Sequence, residues 1–197
     1  MQDDALYRQA VARFLALFEQ GKALGLTEPA AMSLATVDAA GRPSVRTVLL
    51  KACDTRGFVF YTNKRSRKGT QIEATHRAAL CFFWQALMQQ VLVEGRVEDV
   101  SDAEADAYWA TRPRESRIGA WASLQSDALD TRELLQRRYA EQEARFAGGD
   151  VPRPPHWSGY RVVPDLIEFW ASRSSRLHER ERYFLDRDGW RRILVYP

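Results

Sequence analysis

The sequence predicts a mainly β, antiparallel barrel, closed or partly closed, with helices packed outside it as one domain over 1–197. Three observations lead there. Short β-rich runs follow one another from Ala31 to Trp84 and again at 89–100, helical patterns follow from Ser101 to residue 146, and strands return at the C-terminus. At roughly 100–200 residues per domain, a chain of 197 suits one compact unit, which at this size buries about 70% of its unfolded surface.

The first element is an amphipathic helix over residues 3–20, within an N-terminal helical segment 1–25. Asp3 and Asp4 stand as caps, and Leu6, Ala10, Phe14, Leu17 and Phe18 recur at helical spacing on one face. Strands are predicted at 32–37, 45–50, 58–62 and 78–84, separated by the turns Asp38–Gly41 and Asp54–Gly57 and by a polar stretch at 63–77. Residues 89–100 alternate as a strand with one wetter face, in which Gly95 marks a bulge or a close backbone approach. Ser101 followed by Glu104 is a capping-box pattern opening a helix that ends before Pro113. A long charged helix at 128–146 stops at Gly148-Gly149. The C-terminal β segment, 151–197, begins with a stiff proline-rich connector. It continues as strands at 159–163, 165–170 and 180–185, then 190–196 beyond the Asp186–Gly189 turn.

Composition narrows the function classes. Lys plus Arg exceed Asp plus Glu by only 29 to 26, which argues against a surface devoted to nucleic acid and requires any anion site to be local. No apolar window reaches the ~18 residues of a membrane span and the first residues are acidic, so a cytoplasmic protein without a membrane partner is expected. Cys53 and Cys81 do not form a metal or disulfide pattern and read as core thiols. No G-x-G-x-x-G, Walker, H-E-x-x-H or G-x-S-x-G signature is present.

Three basic clusters remain. Lys64-Arg65-Ser66-Arg67-Lys68 puts four cations and a hydroxyl at the start of a helix, either a phosphate cradle or a solvated basic turn. Arg112, Arg114, Ser116 and Arg117, just past the helix carrying Tyr108, form a second set able to converge on a dianion. In Arg176-Leu-His178-Glu-Arg180, an extended backbone would set Arg, His and Arg on one face, functional or simply wet.

With these residues in view, the sequence resembles the pyridoxine/pyridoxamine 5′-phosphate oxidase family from about Ala31 to the C-terminus. The resemblance rests on RTVLLK at 46–51, FYTN at 60–63, SRKGTQIE at 66–73, QQV at 89–91, RPRESRIGAWAS at 112–123, QS at 125–126, IEFW at 167–170 and RLHER at 176–180. It implies an FMN-binding split β-barrel, a homodimer with FMN at the subunit interface, and no metal. It further implies cofactor contacts from Arg46, Tyr61, Thr62, Arg67, Lys68, Gln90, Gln125, Ser126, Trp170 and Arg180. Lys51, Tyr108, Arg112 and Ser116 are implied around a substrate phosphate, with Arg176 and His178 catalytic, near the pyridine ring and the reacting carbon.

The implied reaction takes a hydride from C4′ of pyridoxine or pyridoxamine 5′-phosphate to flavin N5, with the two held about 3–3.5 Å apart, and O2 reoxidises the flavin to give pyridoxal 5′-phosphate and H2O2. A phenazine-type oxidase of the same superfamily and a non-enzymatic flavin-binding barrel are the alternatives. The substrate-phosphate set argues against the first, and Arg176 with His178 against the second. Two departures from the family pattern stand out. The stretch before the first helix is short and lacks a basic arm, which leaves closure over the site in question. The chain ends Arg191-Arg-Ile-Leu-Val-Tyr-Pro197 where many relatives end Arg-Leu-x-Pro, so either Arg192 serves after a one-residue shift or that ionic contact is absent.

Overall fold

The computed structural model describes residues 4–197, which places Asp3 outside the described residues. In chain order the elements are α1 (Ala5–Ala23), β1 (Ala31–Val37), β2 (Pro43–Leu49), β3 (Ala52–Asp54), β4 (Gly57–Asn63), α2 (Arg67–Thr75), β5 (Arg77–Trp84) and β6 (Gln89–Asp99). There follow α3 (Asp102–Ala110), α4 (Arg114–Ala122), α5 (Arg132–Arg145), β7 (Trp157–Ala171), β8 (Glu179–Asp186) and β9 (Gly189–Leu194).

All strand pairings are antiparallel, in the order β2-β1-β5-β6-β7-β4-β3 with β8 and β9 added beyond β7. The two ends of that order, β2 and β3, are separated in sequence only by Leu50 and Lys51, so the sheet has to curl until its ends meet. Lys51 N–H donates to the Val59 carbonyl of β4 at 2.8 Å, extending the β3–β4 ladder back to this junction. The result is a curled split barrel with helices on its flanks, as the sequence predicts.

α1 packs Tyr7, Ala10, Val11, Phe14 and Leu17 into the core. Phe14 meets Phe58 and Phe82 edge-on at 4.8 and 4.9 Å. Asp4 caps the helix by accepting from Leu6 N–H at 2.8 Å and also accepts from Trp190 N–H at 3.2 Å, tying α1 to β9. The Ser101–Glu104 capping box is present at α3.

Several boundaries differ from expectation. The runs at 159–163 and 165–170 are one strand, β7, continuous through Pro164. β4 pairs with β7 only as far as Val162 and the pairing with β8 begins at Leu166, so on that edge the missing proline N–H breaks no ladder. On the other edge the register shifts at Glu94/Gly95, and a Cβ on Gly95 would lie 2.1 Å from the Val163 carbonyl oxygen. α5 starts at Arg132 rather than 128 because Thr131 caps it, accepting from Leu134 N–H. β3 and α4 are added to the expected elements. No helix among the described residues is long and apolar enough to cross a membrane.

Candidate active site

A cavity of about 600 Å³ lies along the seam between β2 and β4, roofed by α3 and α4 and floored at one end by the start of α2. Lys51, Tyr61, Thr62, Lys68, Tyr108, Arg112, Ser116 and Gln125, all expected at a site, line it. Its volume falls within the range of small-molecule sites, about 300–1,000 Å³.

At the α2 end, Ser66 caps the helix and Lys68 sits in its first turn. Lys68 is only 8% exposed, yet its ammonium meets no carboxylate among the described residues. Its partners are neutral oxygens: Thr62 Oγ1 at 3.1 Å, Ser66 Oγ at 3.0 Å and Gln125 Oε1 at 3.2 Å. Burial, and then the charge of Arg46, push its pKa down to about 8. Arg46 is likewise held below the usual arginine range, by burial and by the neighbouring charge of Arg67. None of these three cations enters an ion pair among the described residues. A helix N-terminus, a buried ammonium and two guanidinium groups without a counter-charge form a site short of an anion. Gly69 permits the close packing, since a Cβ there would lie 2.1 Å from the Lys64 carbonyl oxygen.

The opposite wall is aromatic. Tyr61 stacks on Tyr108 at 4.1 Å and on Trp157 at 5.3 Å, with ring planes within 11° of parallel. Arg112 lies over Trp157 at 4.8 Å and donates through Nη2 to the Ser116 carbonyl at 3.1 Å. Burial lowers its pKa, and Lys51 Nζ stands 6.0 Å from the centre of the Tyr108 ring. Lys51 and Arg112 are again cations without an ion-pair partner among the described residues, so the cavity offers a second place for an anion.

The remaining expected residues lie elsewhere. Gln90, Trp170 and Arg180 form one row across β6, β7 and β8, and His178 packs its ring 4.8 Å from Trp170. Trp170 is 13 residues along β7 from Trp157 at the cavity, about 43 Å of strand contour at ~3.3 Å per residue. Neither Ser126 nor any of these residues lines the cavity of the same chain. Arg180 is not a free cation: it pairs with the buried Glu168 at 2.7 Å, which Arg182 shares.

Two sequence expectations are corrected. Residues 174–176 form a tight turn with Ser175 and Arg176 in left-handed backbone, φ 55° and 61°, so Arg176, His178 and Arg180 do not alternate along one strand. Such conformations cost of order 1 kcal/mol each for residues bearing a Cβ. The basic clusters also contribute fewer cations than their length suggests. Lys64 pairs with Asp99 and Glu73, Arg114 binds the Phe146 and Gly149 carbonyls beyond α5, and Arg117 pairs with Asp150. Arg192 pairs with Glu181. Sequence reasoning missed Trp157 beneath Arg112 and the buried polar group Thr36–Ser44–Gln71 behind Arg46.

Comparison with known proteins decides the family. A family model described as pyridoxamine 5′-phosphate oxidase matches residues 17–145, and a second, described as pyridoxine 5′-phosphate oxidase C-terminal dimerisation region, matches 157–197. The chain belongs to the pyridoxamine 5′-phosphate oxidase family. A pyridoxine/pyridoxamine 5′-phosphate oxidase of Myxococcus xanthus is 59% identical over 187 residues, covering 95% of this chain and 91% of its own. One from Alkalilimnicola ehrlichii is 54% identical over 194 residues, covering 98% and 99%. Among solved structures, PhzG from Burkholderia lata 383 in complex with tetrahydrophenazine-1-carboxylic acid superposes with a TM-score of 0.91 at 34% identity, over 100% of this chain and 96% of that one.

The pyridoxamine 5′-phosphate oxidase family is one of FMN-dependent oxidoreductases. The residues present fit that cofactor: the uncompensated cations Arg46, Arg67 and Lys68 at the start of α2 suit a phosphate dianion.

Proposed function

We propose that this protein oxidises pyridoxine 5′-phosphate and pyridoxamine 5′-phosphate to pyridoxal 5′-phosphate, at a site built from two copies of the chain. The observation that carries the reading is the buried, carboxylate-free Lys68 ammonium at one end of a cavity whose other end presents Arg112 and Lys51. Two anion places in one cavity suit a phosphorylated cofactor beside a phosphorylated substrate.

When bound, FMN supplies the two-electron acceptor for the substrate C4′–H bond and passes the electrons to O2. The alcohol and O2 yield aldehyde and H2O2; the amine, O2 and water yield aldehyde, ammonia and H2O2. Arg46, Arg67, Lys68 and Thr62 would hold the cofactor phosphate, while Tyr61 and Gln125 would bound the flavin from the same chain. Lys51, Tyr108, Arg112 and Ser116 take the substrate phosphate, fixing the reacting carbon by its far end.

The row Gln90–Trp170–Arg180, with Arg176 and His178, comes from the second subunit in this reading. Support comes from the strand length separating that row from the cavity and from the match of residues 157–197 to a dimerisation region. His178 Nδ1 accepts from Arg173 N–H at 3.2 Å, so the proton it can give or share with the substrate's oxygen or nitrogen is the one on Nε2. Arg176, without an ion-pair partner among the described residues, orients that same atom. The likeness to PhzG favours a second reading, a phenazine-type substrate; Lys51 and Arg112 facing the cavity favour the phosphorylated one.

Complementation tests the two-chain site. Arg112→Ala and His178→Ala chains, each impaired alone, are unfolded together and refolded. A two-chain site makes one intact site per heterodimer and recovers about a quarter of parental activity, for random pairing. No recovery from a mixture shown to contain heterodimers would contradict it.

A further inference from the structure

Behind Arg46 lies a buried polar group that the site residues above do not include. Arg46 Nη1 donates to Thr36 Oγ1 at 2.5 Å and to the Leu34 carbonyl at 3.1 Å, and Nη2 donates to Ser44 Oγ at 2.6 Å. Both hydroxyls meet one further atom, Gln71 Oε1, at 2.6 Å from Thr36 and 2.7 Å from Ser44; Arg46 Nη2 is itself 3.5 Å from it. A guanidinium has no acceptor, so each hydroxyl accepts from Arg46 and donates onward. The chain of donors therefore runs one way and ends on the Gln71 carbonyl oxygen. Gln71 is 4% exposed and sits on α2 one turn after Lys68 and Arg67.

We propose that Gln71 is a positioning residue for the cofactor phosphate: a neutral terminal acceptor that fixes the Arg46 guanidinium beside α2 while leaving its charge uncompensated. Neutrality is the essential property. A carboxylate would serve the same hydroxyls but would also pair with Arg46, in a buried setting where that pairing is strong, and so remove part of the positive potential meant for the phosphate. A purely apolar residue would leave the two hydroxyls without their acceptor and let the arginine turn. The amide alone orients the cation without discharging it. This inference rests on the reading of the α2 end as the FMN phosphate site.

The test compares Gln71→Glu, Gln71→Leu and the parent by flavin fluorescence quenching, with FMN and with riboflavin, which lacks the phosphate. Expected for Gln71→Glu is a melting temperature near the parent's, riboflavin affinity unchanged, and FMN affinity lowered by about tenfold or more, from one added buried charge near the phosphate. The FMN-to-riboflavin preference then collapses. Gln71→Leu is expected to lose the same preference with a lower melting temperature. Equal weakening of both flavins, or an unchanged preference in Gln71→Glu, would overturn the positioning role and leave the phosphate site standing. A parent that binds FMN no better than riboflavin would instead overturn the phosphate site, and this inference with it.

Discussion

Replacing Lys68 by methionine should move cofactor binding and cofactor-free stability in opposite directions. The ammonium is buried among neutral oxygens beside Arg46, and its pKa falls from 10.5 to about 8. That difference penalises the charged form by about 3 kcal/mol at neutral pH. Methionine removes the penalty and takes the ammonium's hydrogen bonds from Thr62, Ser66 and Gln125, of which Ser66 keeps the Gly69 N–H and Gln125 the Thr62 hydroxyl, returning about 1–2 kcal/mol of it. The net expectation is an FMN-free protein more stable by about 1–2 kcal/mol, a rise of roughly 2–8 °C in melting temperature at this chain length. FMN affinity should fall about 30–150-fold, the loss of a charge-assisted contact worth about 2–3 kcal/mol. Calorimetry of the FMN-free proteins and fluorescence titration with FMN measure the two arms. A variant less stable than the parent without FMN, or one binding FMN as tightly, would refute the argument.

The same shift sets a pH dependence. Because the folded-state pKa lies below the unfolded value, the unfolded chain binds more protons between pH 8 and 10.5. Parental FMN-free stability should therefore gain on Lys68→Met across that window, with the gap constant below pH 8, crossing zero inside the window and reversed by about 1–2 kcal/mol at 10.5, where the neutral amine keeps its hydrogen bonds. Bound phosphate favours the protonated amine, so parental FMN affinity should weaken above about pH 8 while the variant's does not. Arg112→Ala should raise KM for the phosphorylated substrate about 10–100-fold with FMN affinity unchanged, as steady-state kinetics and flavin titration report. Arg176→Ala should cut turnover about 100-fold in FMN-saturated enzyme and retain FMN; the reverse pattern would remove Arg176 from the chemistry. Gly69→Ala should cost about 2 kcal/mol or more in denaturant titration, since its Cβ meets the Lys64 carbonyl.

Local rules made most of the frame readable. Apolar spacing located α1, Ser101 with Glu104 located the start of α3, and Gly95 marked the bulge where β6 and β7 change register. Pro164 misled because a proline argues against a central strand unless its edge is unpaired, a matter of which strands arrive beside it. Counting cations also misled at 64–68 and 112–117. Lys64, Arg114 and Arg117 are spent on carboxylates and carbonyls that only the fold brings near, and of the cations left over Lys68 and Arg112 line the cavity. Gln71 was within reach: it falls one helical turn after Lys68 in the same motif, the spacing that places two side chains on one face.

The most direct test of the account is an anaerobic titration of the FMN-loaded protein with pyridoxine 5′-phosphate, following the flavin absorbance and the pyridoxal product. Bleaching with one equivalent of product per flavin is the predicted result. An oxidised flavin spectrum that persists in excess substrate would contradict the proposed activity, while leaving the barrel and its anion site in place.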